Sequence, residues 1–377
     1  MPGSFRFGLF ITLWMLCLCP AVTASAATAP LSSRPAINQI PTTYENATIT
    51  EDVSWRGSVV IKGALVVAAQ ATLRIEPGTV IRFMTVSSSR QLPRLVVMGR
   101  IQSIGTLDRP ILFTAGSATL VKGGAWGGLL LLSSEKRNQL EHCRIEGAET
   151  GLEGRFSIVT AKALSITRST NGCILRDSTA SLASSNINDC DTGLEAHDSE
   201  VELRDATLAA NRRGMSLFRS SVVMSSVVVT GSTELAILSD DCRLKFTACE
   251  ISDNAGGARV TGGEGQIFLS SFVRNRETAL HLASARLKIS RCRISDNLRD
   301  GLRLEDDRAT IWGNAISDNG GYNLVSAGRD TVNAVQNWWG SSVESVIAAK
   351  LSAAATVQRS AAVNVFPWLS EKPAIFP

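Results

Sequence analysis

The sequence predicts an all-β solenoid of short strands stacked at 21 or 22 residues per coil, with a small C-terminal cap containing a short helix. Three observations predict it. A small-residue column runs Gly151, Gly172, Gly193, Gly214 and Leu235 at steps of 21, then Gly257, Ala279, Gly301 and Asn323 at steps of 22. An apolar column lies six or seven residues ahead of it, at Ile145, Ile166, Ile187, Leu208, Val229, Ile251, Val273, Ile294 and Ile316. A third runs Leu182, Leu203, Met224, Phe246, Ile267, Ile289 and Ile311 at the same steps. Three columns held in step over so many units mark a structural repeat.

Within a unit apolar and polar residues alternate, as in Val201-Glu-Leu203 and Leu287-Lys-Ile289. That is the period of a strand with one buried face. Each unit offers three such strands, separated by Gly, Asn, Asp and Ser turns, and none can bury its own apolar side chains. Stacking units as parallel strands about 4.8 Å apart places like residue on like residue inside a narrow core, so the expected architecture is a single-stranded parallel β-helix. The tetrapeptide ISDN occurs three times, at 251–254, 294–297 and 316–319. Its Ile is expected to point inward, its Ser outward, and its Asn to sit at the corner, where Asn211, Asn254, Asn275, Asn297 and Asn319 recur. Stacked there, their side chains can bond the backbone amides that a bend removes from the sheet.

In chain order, residues 1–26 are expected to be a secretory signal peptide: Arg6, an apolar run from Phe7 to Cys19, Pro20, then Ala24-Ser25-Ala26. The run is too short to span a bilayer, which takes about 20 apolar residues, and no stable membrane span is expected in the mature chain. An exported protein, periplasmic or extracellular, is the resulting expectation. Residues 27–44, rich in Ala, Ser, Thr and Pro, form a flexible lead; 45–139 form irregular early coils, 140–336 the regular coils and 337–377 the cap. The Ala-rich stretch 343–357 supplies the cap helix.

A composition of 44% hydrophobic and 19% charged residues excludes disorder. The net charge of +4 is spread too thinly, without interleaved aromatics, for a nucleic-acid surface. Six cysteines remain after residue 26. Cys143, Cys249 and Cys292 each precede a core Ile by two residues and should be buried thiols; Cys242 with Cys249 in one coil stays open as a pair.

The chain resembles the right-handed parallel β-helix proteins of the pectate-lyase-like superfamily, especially secreted bacterial members without assigned catalytic activity. Ala71-Thr-Leu73-Arg-Ile75-Glu-Pro77-Gly78-Thr79 is similar to the opening motif of such helices. Arg109-Pro110-Ile111-Leu112-Phe113-Thr114, Trp126-Gly127-Gly128, Asn337-Trp338-Trp339-Gly340 and the stretch 364–369 are similar to later family marks. The resemblance implies the handedness and the fold. Physically, Pro77-Gly78 is a turn pair, and Trp338 and Trp339 are expected to cover the last coil, whose edge would otherwise be open.

Catalytic groups on such a scaffold would stand outside a sheet on neighbouring coils. Five residues past the small-residue column lie Asp198, Arg219 and Asp240, with Asp241 and Arg243 adjacent. Asp198 and Asp240, two rungs apart, would be separated by roughly 9.6 Å, near the upper end of the spacing inverting glycosidases use. The same residues also fit an outward charge ladder in which Arg219 neutralises two aspartates, and this is the expectation: no catalytic, cofactor-binding or metal-binding residue is assigned, and Asp198, Arg219, Asp240 and Asp241 are the set an enzyme would use. The Gly-His-Gly and Asn-Thr-Asp of the polygalacturonase-type relatives are absent, and Arg243-Leu-Lys245 and Arg286-Leu-Lys288 imitate their Arg-Ile-Lys alone. Asp306-Asp307 fits a solvated turn. His142, His197 and His281 fall at different offsets and make no metal column. Aromatic residues, at 6%, are too few to imply a sugar-stacking platform.

The leading expectation is therefore an exported, non-catalytic protein that presents a long surface to a glycan or an envelope protein, needing no cofactor. The alternatives are a polysaccharide lyase or glycoside hydrolase acting on acidic polysaccharide, and a structural or adhesive surface protein. Oligomeric state and calcium dependence leave no mark in the sequence.

Overall fold

The computed structural model describes residues 41–85, 91–116, 122–306, 308–328, 331–353 and 363–374. The expected signal peptide, and all of the expected lead except 41–44, lie outside them. From Thr42 on, the chain winds through three faces per coil, and every strand pairing among the described residues is parallel. The first face is built of three-residue strands such as Asn186–Asn188, Thr207–Ala209, Glu250–Ser252 and Arg293–Ser295. The second has strands mostly of four to six residues in the regular coils, including Thr192–His197, Arg213–Phe218, Leu235–Asp240 and Gly256–Thr261. The third has strands such as Glu200–Arg204, Ser221–Ser225, Arg243–Thr247, Glu264–Phe268 and Arg286–Ser290. The first two faces belong to one 25-stranded sheet and the third is a 14-stranded sheet.

The interior is the stack of apolar rows that the repeat predicts. On the third face Leu182, Leu203, Met224, Phe246, Ile267, Ile289 and Ile311 pair rung to rung and are all buried. Burying one such side chain is worth about 1.5–3 kcal/mol, and the row repeats it on every coil. The first-face row needs one correction: Ile251 is followed by Phe272 and then Ile294, not by Val273, which pairs with Ser252 on the opposite side of the strand. The second-face column needs another. Met215 pairs with Ile237, so Ala236, not Leu235, follows Gly214 in register. The extra residue of this coil sits in the loop before the second-face strand. The column is small because rungs approach closely there: a Cβ on Gly172 would lie 2.4 Å from Gly193 O, and one on Gly257 would lie 1.9 Å from Ala279 O.

The corner between first and second faces explains ISDN. Its Asp takes a left-handed backbone, with φ of 59°, 63° and 60° at Asp253, Asp296 and Asp318, a conformation that short polar side chains tolerate best after glycine. The next residue, Asn, turns into the core and forms a ladder. Asn254 N bonds Asn275 Oδ1, Asn275 N bonds Asn297 Oδ1 and Asn297 N bonds Asn319 Oδ1, at 3.2, 2.9 and 3.3 Å. Their Nδ2 groups also donate to backbone carbonyls of the preceding coil, so the buried amides are satisfied. The serines face away from the core, as expected, yet are buried: Arg293 Nε donates to Ser295 Oγ, which donates to Asp296. The corner between second and third faces holds a second ladder, in which the amides of Ser157, Ser178 and Ser199 donate to Oγ of the serine 21 residues on.

The six cysteines after residue 26 are buried and free. Burial pushes the thiols of Cys143, Cys173 and Cys292 up to about 12, out of reach of thiolate chemistry. Gly78 has φ of 81°, as its turn requires, and Arg109 donates to Pro77 O. Within 343–357 the helix covers Glu344–Ala349, and Leu351–Ala353 then rejoins the second face beside Leu324–Ser326. Trp339 is buried and Trp338 bridges to Ala315, closing the last coils.

Candidate functional site

The corrected register separates the four residues considered for catalysis. Asp198 and Arg219 occupy the left-handed corner position between second and third faces, with φ of 49° and 44°, and Asp241 follows them there at 49°. Asp240 is instead the last residue of its second-face strand, paired with Phe218. Arg219 grips Asp198 through both oxygens, with Nε to Oδ1 at 2.8 Å and Nη2 to Oδ2 at 2.6 Å. That hydrogen-bonded guanidinium holds the Asp198 carboxyl below the usual carboxylate value, and the Arg219 guanidinium is raised in turn. A carboxylate bound in this way is a poor proton acceptor. Asp240 and Asp241 carry no ion pair among the described residues.

The third face changes character just past this corner. Its outward residues on successive rungs are Arg243 and Lys245, then Glu264 and Gln266, then Arg286 and Lys288, with Arg308 opening the next rung where its amide bonds Ala285 O. The parallel stack aligns Lys245, Gln266 and Lys288 in one row and Arg243, Glu264 and Arg286 in the other. All six are exposed. Glu264 lies 3.8 Å from both Arg243 and Arg286, a loose pairing of exposed groups, and the two lysines have no ion partner among the described residues. The two Arg-Leu-Lys triplets thus recur two rungs, roughly 9.6 Å, apart on one exposed face.

The preceding coils carry their charges differently. On the second face Arg155 and Arg176 both contact Glu153, Arg176 also contacts Glu195 at 3.2 Å, and Glu195 lies 3.0 Å from His197, which stacks on Phe218. Repeat offsets would have shown that Glu153 and Glu195 share an outward row with Arg259, His281 and Arg303, once the coil at 214–236 was given 22 residues. Among the described residues no three His, Cys, Asp or Glu side chains gather as a metal ion would require.

Two family models match the chain. A pectate-lyase-like β-helix domain covers residues 47–155, and a right-handed β-helix region covers 230–361. The chain belongs to the right-handed parallel β-helix proteins. No curated protein matches its sequence. Among solved structures, this β-helix is similar to the periplasmic alginate epimerase AlgG, at 11% identity over 85% of this chain and 76% of that one, with a TM-score of 0.43. It is also similar to the A-module of the Azotobacter vinelandii mannuronan C-5 epimerase AlgE6, at 11% identity, 81% and 91% coverage and a TM-score of 0.44. Tailspike protein 3 of bacteriophage CBA120 follows at 10% identity, 84% and 56% coverage and a TM-score of 0.39. Similarity at this level concerns the fold alone. No helix among the described residues is long and apolar enough to cross a membrane.

Proposed function

We propose that this β-helix protein is an exported, non-catalytic binder of acidic glycan, and that the third face from Arg243 onward is its binding surface. One observation carries the proposal: Arg243, Lys245, Arg286, Lys288 and Arg308 stand out from one sheet, with Glu264 among them and Asp306 beside Arg286 and Arg308. A linear polyanion laid along the coil axis would meet cations on the first, third and fourth of these rungs, and exposed cations of one sign raise both its local concentration and its rate of capture. Export is supported by the apolar run 7–19 followed by Ala24-Ser25-Ala26.

The test is equilibrium binding of polygalacturonate to the purified mature chain, with release of reducing ends and unsaturated sugars measured in the same samples. Binding without product is expected, weakening as salt rises towards about 1 M, where the screening length falls to about 3 Å. Reversing two exposed charges, K245E/K288E, should weaken binding roughly tenfold. Product formation abolished by Asp240→Ala would establish the lyase or hydrolase alternative instead. Failure to bind any acidic glycan would leave an envelope protein as the partner to seek.

A further inference from the structure

We propose that the second face of the same coils carries a second anion-binding site, in which Arg259, His281 and Arg303, on three consecutive rungs, receive successive negative groups of an acidic oligosaccharide. It lies on a different sheet from the surface proposed above and stands independently of it. The three side chains form one outward row, paired Arg259 to His281 to Arg303, and bounded along the axis by Leu238 and Val325. They floor a hollow of about 320 Å³ walled by Glu277, Thr278 and Arg299. Small residues, Thr261 and Ala283, occupy the neighbouring outward row at the first two of these rungs, which leaves the cations accessible from that side. With rungs about 4.8 Å apart, Arg259 and Arg303 stand as cations two rungs apart and His281 between them becomes a third on protonation, so the row suits an oligomer charged on successive units.

The charges in the hollow are only partly answered from within the protein. Arg259 and Arg299 have no ion partner among the described residues, while Arg303 Nε donates to Glu305 Oε1 at 2.9 Å. His281 Nε2 is buried, and its one near partner, Glu305 Oε1 at 3.2 Å, is poorly aligned with it and shared with Arg303. The groups facing His281 are thus Arg259 on one neighbouring rung, Arg303 and Glu305 on the other, and Glu277 and Arg299 in the wall.

Burial pushes His281 below its ordinary value; Glu305 opposes this and the two arginines reinforce it. The imidazole is therefore uncharged near neutrality. An anion seated over the row favours the imidazolium, so binding takes up one proton from solvent at His281. By linkage, affinity rises as pH falls through the ordinary histidine range.

The experiment titrates a labelled sulfated dextran oligosaccharide, whose charge is constant over the range, into the full mature chain from about pH 8 to about pH 5. The protein is the K245E/K288E variant, so that the third face is weakened. Residual binding should strengthen severalfold on acidification. H281N should retain the affinity seen near pH 8 but lose the pH dependence, and R259E/R303E should abolish residual binding; R259Q/R303Q, with melting curves alongside, guards against misfolding. Residual binding that does not change with pH, or that survives R259E/R303E in folded protein, would overturn the proposal. The two sites fail separately: if K245E/K288E alone removes all binding, only the second-face site is wrong. If K245E/K288E binds as the natural chain does while R259E/R303E does not bind, only the third-face site is wrong.

Discussion

The coils of residues 148–241 and those of residues 242–312 share one interior and differ in what they do with charge. The first set contains eight Lys and Arg against thirteen Asp and Glu, the second twelve against nine. In the first, many of the charges are tied to one another across rungs, as in Arg176 between Glu153 and Glu195, Arg212 and Arg213 on Glu234, and Arg219 on Asp198. In the second, Lys245, Arg259, Lys288 and Arg299 are left without an ion partner among the described residues. A stack whose core is set by apolar rows and corner ladders leaves its outward positions open to vary, and there two neighbouring stretches of one solenoid become an acidic wall that ties down many of its cations and a cationic surface.

The largest effects should show that the interiors are equivalent. Ile187→Ala in the first set and Ile294→Ala in the second each remove a buried side chain from the same row and should each cost about 2–5 kcal/mol in denaturant unfolding. A cost confined to one set would break the comparison. Next in size, Asn275→Ala leaves the Asn254 amide and the Ile251 carbonyl without their partners, and should cost about 1–3 kcal/mol. The corner at Ala210–Asn211, where Asn211 bonds Cys190 N and Ile187 O, should respond alike to Asn211→Ala.

Surface changes should be smaller and should separate the regions by function. K245E/K288E should lower polyanion affinity with little change in melting. Glu202→Lys, on the third face of the acidic coils, should leave stability unchanged and extend the cationic surface, raising affinity modestly. The smallest effect belongs to Asp198→Asn: its partner Arg219 is exposed, and an exposed pair contributes little, so melting near neutral pH should not shift measurably. Acidification should act on both sets alike. Asp198, Glu234, Asp253 and Asp296 all have carboxyls held below their ordinary values, first by hydrogen bonds to Arg219, Arg212, Arg274 and Ser295. Their contribution is present above the ordinary carboxylate range and is lost as pH falls through the lowered values, so thermal melting followed from neutral pH down to about pH 3 should decline in the acid limb.

Most of the fold was legible because it depends on period and alternation, which a sequence displays directly. The three columns, the corner asparagines and the buried cysteines needed no knowledge of side-chain geometry. What went astray was a single-residue slip. A 22-residue coil inserted among 21-residue ones moved Leu235 into the place of Ala236 and Asp240 into that of Asp241, and a similar slip put Val273 where Phe272 stands. Because strand period is two, each slip moves a residue to the wrong side of the sheet or to the wrong part of a turn. The candidate site was less legible for another reason. The Arg-Leu-Lys triplets are visible in the sequence, but whether their charges are answered depends on neighbours 21 or 22 residues away, so it could be judged only with register and side chains in place.

The most direct measurement is lysine acetylation with and without a saturating acidic glycan, read residue by residue by mass spectrometry. Lys162, Lys245 and Lys288 all face outward on the third face, the first in the acidic coils and the others in the basic ones. Strong shielding of Lys245 and Lys288 with Lys162 labelled as before is the predicted result. Equal labelling of all three lysines with the glycan bound, or shielding of Lys162 alone, would contradict it.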